Sequence, residues 1–444
     1  MMHRQVLSGW GRYPQKHCMV SAPRDAQELA GLAGHGGVIA RGNGRAYGDS
    51  AVGGAATLDM RRLNRMLSFD PDSGVLVAEA GVLLADIIDA FLPRGWFLQV
   101  TPGTKFVSLG GAIASDVHGK NHHRDGAFGS FVEWLDLMGP DGAVKRVSRR
   151  DNSQLFEWTL GGMGLTGIIL RAALRLRPVQ SAWIRQRTIV AENLRAAIDA
   201  FEGAQEATYS VAWIDCLASG AALGRSLVML GEHAEADELP AAYRAAPLSS
   251  PLKRKRRVPF DAPAKALNRH TVRAFNALYW RKGCRGPAET LIDWDTYFYP
   301  LDAILGWNRI YGRRGFVQFQ CVVPLDGAER SLAALLTETA RAGQGSFLAV
   351  LKRLGAQESR FSFPMEGYTL ALDFPANPTT LALLDRLDRI TLEHGGRFYL
   401  AKDARLPART FHAADPRAAE FVAMRQEASL DRAFASGQSN RLLL

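Results

Sequence analysis

The chain has 444 residues, 47% of them apolar and 22% charged, with a formal charge of +10 at pH 7 and a pI near 9.6. That length allows two or three domains and a full hydrophobic core, and the composition excludes disordered and fibrous classes. The positive charge favours an anionic partner, whether nucleic acid, a phosphate-bearing cofactor or an anionic lipid surface, without choosing among them. Cys18, Cys216, Cys284 and Cys321 are scattered and form no C-x-x-C pair, so neither a zinc site nor a disulfide framework is expected, and a reducing compartment fits. The N-terminus lacks the apolar core of a signal peptide, and no run of eighteen apolar residues occurs. A cytoplasmic protein that meets a membrane at most peripherally is therefore expected.

Residues 23–33 place alanine and leucine at helical spacing, with Asp25 suited to a first turn. The apolar run Gly37-Val-Ile-Ala40 then leads, as a strand, into Ala40-Arg-Gly-Asn-Gly-Arg-Ala-Tyr-Gly-Asp-Ser50. Gly42, Gly44 and Gly48 remove side chains where backbone N–H groups would approach a ligand, and such a loop forms an anion-binding nest suited to a pyrophosphate. Residues 75–80 read as a strand and 82–92 as a helix ended by Pro93-Arg-Gly95. A second glycine-rich segment, residues 101–119, is placed to face the first. Residues 132–138 and 143–147 flank Gly139-Pro-Asp-Gly142 and predict a hairpin. Period-two alternation near the end of residues 168–177 predicts a strand leaving the domain, with a boundary at 178–182.

The middle region, about 183–396, mixes helices (193–202, 332–342) with apolar strands (316–323, 368–374) and predicts an antiparallel sheet covered by helices. Gln318 and Gln320 alternate with apolar residues and share one face, lining either a polar pocket or the solvated side of an edge strand. The basic run Lys253-Arg-Lys-Arg-Arg257 reads as an exposed loop; no stacking aromatics accompany it, so nucleic acid is not expected. His118, His122 and His123 lie near Asp116, but the glycine-broken run lacks metal-ligand spacing and no metal is expected. Near the C-terminus a short strand ends in Tyr399 and Lys402, and residues 416–429 are helical. By spacing alone Lys402 reads as a surface lysine paired with Asp403.

The segments Arg41-Gly-Asn-Gly-Arg-Ala-Tyr-Gly-Asp49, Pro102-Gly-Thr104, Leu109-Gly-Gly-Ala-Ile-Ala-Ser-Asp-Val-His-Gly119 and Gly161-Gly-Met-Gly-Leu-Thr-Gly-Ile168 resemble the PCMH-type FAD-binding domain of the vanillyl-alcohol oxidase family. Gly9-Trp-Gly-Arg12, His118-Gly-Lys-Asn-His-His123, Trp307-Asn-Arg309, Gly395-Gly-Arg397 and Ala401-Lys-Asp403 resemble, within it, the polyprenyl-phosphoribose oxidases, in order along nearly the whole chain. The resemblance implies an α+β fold: a FAD-binding domain at 1–182, a substrate-binding domain at 183–396, and a segment 397–444 returning to the first. It places FAD contacts at Ala40, Arg41, Gly42, Asn43, Gly44, Arg45, Ala46, Tyr47, Gly48, Asp49 and Ser50, then at Gly103, Ser108, Leu109, Gly110, Gly111, Ser115, Asp116, Val117 and His118, with Ile169 and Tyr399. Members that tether FAD covalently carry histidine where this chain has Arg45, and no cysteine lies between Thr101 and Gly119, so the FAD is expected to be non-covalent.

The same resemblance implies oxidation of the 2′-hydroxyl of a polyprenyl-phospho-β-D-ribose to the 2′-keto sugar. That is the first half of an epimerisation serving arabinose and cell-wall biosynthesis, completed by a short-chain-dehydrogenase-type reductase partner. Lys402 and Tyr399 are the implied catalytic residues, and His118, Lys120, Trp213, Gln318, Gln320 and Lys352 the substrate contacts; alone, Trp213 would read as core. The best-known members of that subfamily carry a cysteine in the substrate pocket where this chain has Ala371, which predicts insensitivity to inhibitors that bond to that thiol. The basic loop 253–257 is expected to dock peripherally at the inner membrane surface. Alternatives are a sugar, alditol or aldonolactone oxidase of the same fold, or a non-catalytic flavin-binding scaffold for the reductase. Intact Lys402 and Tyr399 argue against the scaffold.

Overall fold

The apolar run ahead of the first glycine loop forms strand Val38–Arg41, and the loop crosses from it to a parallel neighbour, Ala56–Asp59. Helix Ala26–Ala33 starts where the Asp25 side chain accepts the Glu28 N–H, and its buried Leu29 and Ala33 pack with Val38 and Leu58. Gln15–Ser21 and His3–Ser8 complete a four-stranded sheet in the order His3–Ser8, Gln15–Ser21, Ala56–Asp59, Val38–Arg41. The computed structural model describes residues 1–444 apart from Met1, Gly54, Leu252, Ala264 and Lys265.

A second sheet runs Met66–Asp70, Val75–Glu79, Ile168–Pro178, Val132–Met138, Val144–Ser148, with Trp96–Leu98 paired to the far end of the third strand. The Asp-Gly hairpin forms as the turn residues dictate, with Met138 opposite Val144 and Trp134 opposite Ser148. Helices Leu84–Phe91 and Leu109–Ala114 cover this sheet through Leu84, Ile87, Ile88, Leu109 and Ile113.

The third sheet has eight strands, ordered Glu289–Asp293, Trp183–Ala191, Ser226–His233, Tyr209–Ile214, Ala349–Leu354, Gly367–Pro375, Phe316–Pro324, Arg397–Phe398, and every neighbouring pair is antiparallel. Its register decides what each face carries, because residues directly opposite one another project to the same side. Gln318 faces Asp373, Gln320 faces Ala371, Ala371 faces Val350, Thr369 faces Lys352, and Val350 faces Trp213. The opposite side bears Phe319, Leu370, Leu372, Leu351 and Ala212, buried beneath helices Leu194–Glu202, Ala328–Ala342 and Pro378–Glu393. Strand Phe316–Pro324 has partners on both edges, and Gln318 and Gln320 are only 7% and 6% exposed. The two glutamines therefore line a buried polar face, and the edge-strand reading does not hold.

The end of the chain returns to the beginning. Phe434 bridges to Val38, Ala435 N–H donates to the Val38 carbonyl at 3.0 Å, and Gly437 N–H to the Val52 carbonyl at 2.7 Å. Arg441 pairs with Asp49 at 2.7 Å and Asp403 at 2.9 Å, tying the first glycine loop to the turn that carries Lys402. The fold is α+β, and no described helix is long and apolar enough to cross a membrane.

Candidate active site

The two glycine-rich segments meet. Asn43 Nδ2 donates to the Phe106 carbonyl at 2.8 Å, and a Cβ at Gly42 would overlap the Ser108 side chain. Among the described residues, the backbone N–H groups of Gly42 to Ala46 have no protein acceptor. Arg45 stacks over Trp10 at 4.1 Å and Phe106 at 5.1 Å, with its buried Nε unpartnered. Free N–H groups beside a half-buried cation fit the pyrophosphate of a dinucleotide cofactor. Much of the rest of this loop is held by protein. Arg41 donates to the Ser8 and Ala51 carbonyls, the Ala46 carbonyl accepts from Trp10, and Asp49, with Ser50 buried beside it, is bound by Arg441 and Lys16.

Along the second segment, Ser108 caps its helix by accepting from Gly111 N–H, and Gly110 packs directly on Ala80. The side chains of Leu109 and Ile169 belong to the apolar core of the second sheet, and Gly103 sits in an open turn with nothing within 4 Å of a Cβ. Asp116 is buried, and its oxygens accept from Gly129 N–H, Gln357 and Ser362, so its carboxylate braces the loop. Val117 is buried beside it, and the Ser115 carbonyl accepts the Tyr399 hydroxyl at 3.1 Å. Tyr399 stacks on Phe363 at 4.7 Å and lies 5.4 Å from the His118 ring, and burial raises its pKa. A cleft lined by Ser115, Gly161, Met163, Phe363 and Tyr399 opens here.

Lys402 sits on a turn fastened to the first loop, with Tyr47 N–H donating to the Ala401 carbonyl at 2.9 Å. Its ammonium lies 3.5 Å from the centre of the Tyr47 ring. Asp403 is not its partner, because that carboxylate takes the N–H groups of Arg405 and Leu406, Gln438 and Arg441. The surface-pair reading of Lys402 is thereby corrected: the two neighbours in sequence point to different networks. Burial lowers the Lys402 pKa, and Asp373 opposes that shift. Asp373 is raised by burial against a hydrogen bond from Gln318 and the charge of Lys402. Asp373 Oδ2 and Gln318 Oε1 are buried without a partner among the described residues.

His118 is flanked by Gln320 Nε2 at 3.1 Å from Nε2 and Lys352 Nζ at 3.3 Å from Nδ1. Lys120 donates to the Tyr297 carbonyl and lies 4.0 Å from that ring's centre. Burial, aided by repulsion from Lys352, lowers Lys120 to about 7; burial and Lys402 lower Lys352 to about 7. His122 accepts from Gly355 N–H and faces Gln357 Oε1, and burial lowers it to about 4; His123 contacts the Ala207 carbonyl. Trp213, 7% exposed, shares the sheet face of Lys352 and meets Tyr279 at 4.8 Å. Its apolar ring borders the polar cluster.

Two residues of this cluster escape sequence reading. Asp373 and Thr369 flank Ala371 at two-residue spacing in strand Gly367–Pro375, and that alternation was the available signal. An aspartate in an apolar strand announces a buried charge only when its partner is known. The basic loop is exposed from residue 254 to 257, as expected, but part of it is engaged. Arg254, Arg256 and Arg257 are exposed, but Lys253 pairs with Asp293 at 2.8 Å, Lys255 lies 5.5 Å from the Phe106 ring, and Arg256–Arg257 pair with Ile304–Leu305.

The assembled groups can neutralise an anion, through Lys120 and Lys352, and can manage the proton of a hydroxyl, through Lys402 and Asp373. The family description "FAD binding domain" matches residues 20–148. The chain is 38% identical to decaprenylphosphoryl-β-D-ribose oxidase of Mycolicibacterium smegmatis over 99% of this chain and 97% of that protein. It is 34% identical, over 81% of its length and all of the relative's (100%), to an uncharacterised Streptomyces coelicolor protein of the mprA 5′ region. Similarity to mouse L-gulonolactone oxidase, at 27%, spans 38% of the chain and 39% of that enzyme.

Proposed function

The chain belongs to the family of FAD-binding oxidoreductases that includes decaprenylphosphoryl-β-D-ribose oxidase, and from that premise we propose that it oxidises the 2′-hydroxyl of a polyprenyl-phospho-β-D-ribose to the 2′-keto sugar. The observation that carries the proposal is the run of three buried lysines, in which Lys352 is felt by Lys120, Lys352 and Lys402 are felt by His118, and Lys402 is felt by Asp373. Such a set seeks an anionic, hydroxyl-bearing ligand, and the unpartnered Asp373 Oδ2 and Gln318 Oε1 await hydrogen-bond donors.

FAD, held between the loop at residues 40–50 and the segment at 108–118, supplies the hydride acceptor. Its attachment is non-covalent in this reading, because Arg45 fills the tethering position and is packed between Trp10 and Phe106. Lys120 and Lys352 hold the phosphate, and Gln318, Gln320 and His118 orient the ribose hydroxyls. Lys402 takes the departing hydroxyl proton as a base or, as a cation, stabilises the negative charge that the proton leaves behind, and Tyr399 walls the reacting centre. Trp213 offers an apolar wall to the prenyl chain. Residues 1–182 and 397–444 bind the cofactor and 183–396 the substrate, a reductase of the short-chain-dehydrogenase type completes the epimerisation, and membrane contact is peripheral.

Anaerobic mixing of the holoenzyme with polyprenyl-phosphoribose, free pentoses and sugar lactones tests this reading through the flavin absorbance. Bleaching by the phosphoribose lipid alone supports it. Bleaching by lactones or pentoses instead, or by nothing, overturns it.

A further inference from the structure

Helix Arg269–Arg285 has two dissimilar sides. Within its 17 residues are Arg269, Arg273, Arg281, Lys282 and Arg285, and no aspartate or glutamate. Val272 and Asn276 are buried, and Asn276 anchors the helix to Asp215 at 2.6 Å. Helical spacing puts Tyr279 and Gly283 on that same inner side, and the Tyr279 ring reaches Trp213 at 4.8 Å while stacking with Phe275 at 5.8 Å. Phe275 continues to Phe347 at 4.7 Å. The inner side is thus an aromatic row ending at the sheet face that carries Lys352.

The outer side is basic with an apolar residue at its middle. Leu278 is 67% exposed, and its neighbours three, four and seven positions along the helix are Arg281, Lys282 and Arg285. Among the described residues, Arg273, Arg281, Lys282 and Arg285 form no ion pair. Exposed leucine among unpaired cations is the pattern of a helix lying in a lipid interface; a nucleic-acid surface has no use for the leucine.

We propose that helix Arg269–Arg285 is the surface by which this protein lies on an anionic bilayer leaflet, with Leu278 entering the headgroup layer and the Phe275–Tyr279–Trp213 row leading an apolar chain from the leaflet toward Lys352. The proposal rests on the lipid-substrate reading above. It moves the docking site away from loop 253–257, two of whose five cations are already engaged by Asp293, Asp295 and Phe106.

The test uses the holoenzyme with vesicles of phosphatidylcholine, with and without phosphatidylglycerol. Cys284 is exposed and the other three cysteines are buried, so an environment-sensitive dye placed on Cys284 reports the helix itself. Cosedimentation and a blue shift of the dye are expected with phosphatidylglycerol only, and both weaken as salt rises. The R273Q/R281Q/K282Q/R285Q variant should bind at least about tenfold more weakly, L278D should lose the blue shift, and R254Q/R256Q/R257Q should bind as the parent does. Equal binding by the helix variant, loss confined to the loop variant, or preferential capture of duplex nucleic acid would each overturn the proposal. A soluble short-chain polyprenyl-phosphoribose separates this from the functional reading. If docking fails, that substrate still bleaches the flavin while vesicles are not bound; if the function fails, vesicles are bound and nothing bleaches.

Discussion

Lys352 Nζ and His118 Nδ1 lie 3.3 Å apart, an amine and an imidazole sharing one buried polar contact. The tautomer of His118 follows from the other end of the hydrogen-bond chain. Thr369 gives its hydroxyl proton to the Cys321 carbonyl at 2.8 Å, so its oxygen accepts from Gln320 Nε2 at 3.2 Å. That nitrogen also meets His118 Nε2, which must accept, leaving the imidazole proton on Nδ1. Burial keeps His118 neutral and, with Lys402, lowers Lys352 to about 7, so above that pH the lysine is mostly an uncharged amine.

An incoming phosphate reverses that state. An anion favours the charged form, so it raises the pKa of Lys120 and Lys352 from about 7, and at about pH 8 binding takes up as many as two protons. Calorimetric titration with the phosphoribose ligand in buffers of different ionisation enthalpy should show heats that depend on buffer at about pH 8 and much less at about pH 6, where both lysines are already charged. Buffer-independent heat at pH 8 counts against two neutral lysines.

Lys402→Ala should retain FAD, because the loop N–H groups and Arg45 are untouched, while flavin reduction slows by a factor on the order of 10²–10⁴. Rapid-mixing absorbance measures it. Reduction at the parent rate removes Lys402 from the chemistry.

Asp373→Asn separates two roles for that lysine. Asp373 supports the Lys402 charge, so its removal lowers the lysine pKa further. The limb of the pH–rate profile that belongs to Lys402 must then move toward acid. Movement of the acidic limb identifies a base that works uncharged; movement of the basic limb identifies a cation. A profile that stays in place shows that Asp373 does not act through Lys402.

Gly48→Ala should loosen both loop and turn. A Cβ there meets the Asp403 carbonyl and comes within 2.6 Å of Ala404 Cα, and backbone cannot yield as a side chain can. A loss of about 1–3 kcal/mol is expected, seen as a lower Tm and easier FAD release. Gly103→Ala, with nothing within 4 Å, is the neutral control.

Ala371→Cys should create a reactive position on the ligand face of the sheet, opposite Gln320 and Val350. Thiol-directed inhibitors of this pocket should add no mass at Ala371 in the parent and one equivalent in the variant, by intact and peptide mass. Adducts on the parent are expected only at exposed Cys284. An adduct within the parent's pocket would refute the assignment.

Local chemistry was legible from the chain itself. The glycine loop, the Asp-Gly hairpin, the helix that Asp25 leads and the shared face of Gln318 and Gln320 all follow from interactions spanning a few residues. Motif likeness carried the cofactor and the family further than periodicity could. What tertiary structure alone decided is which distant side chains meet: Lys402 over Tyr47 and away from Asp403, Asp373 with Gln318, Thr369 with Gln320, and Arg441 closing on Asp49. Alternation fixes the face on which a residue lies, but the register between strands remote in sequence is set by packing of the whole sheet. The charge states of Lys120, Lys352 and Lys402 depend on burial, which that packing creates.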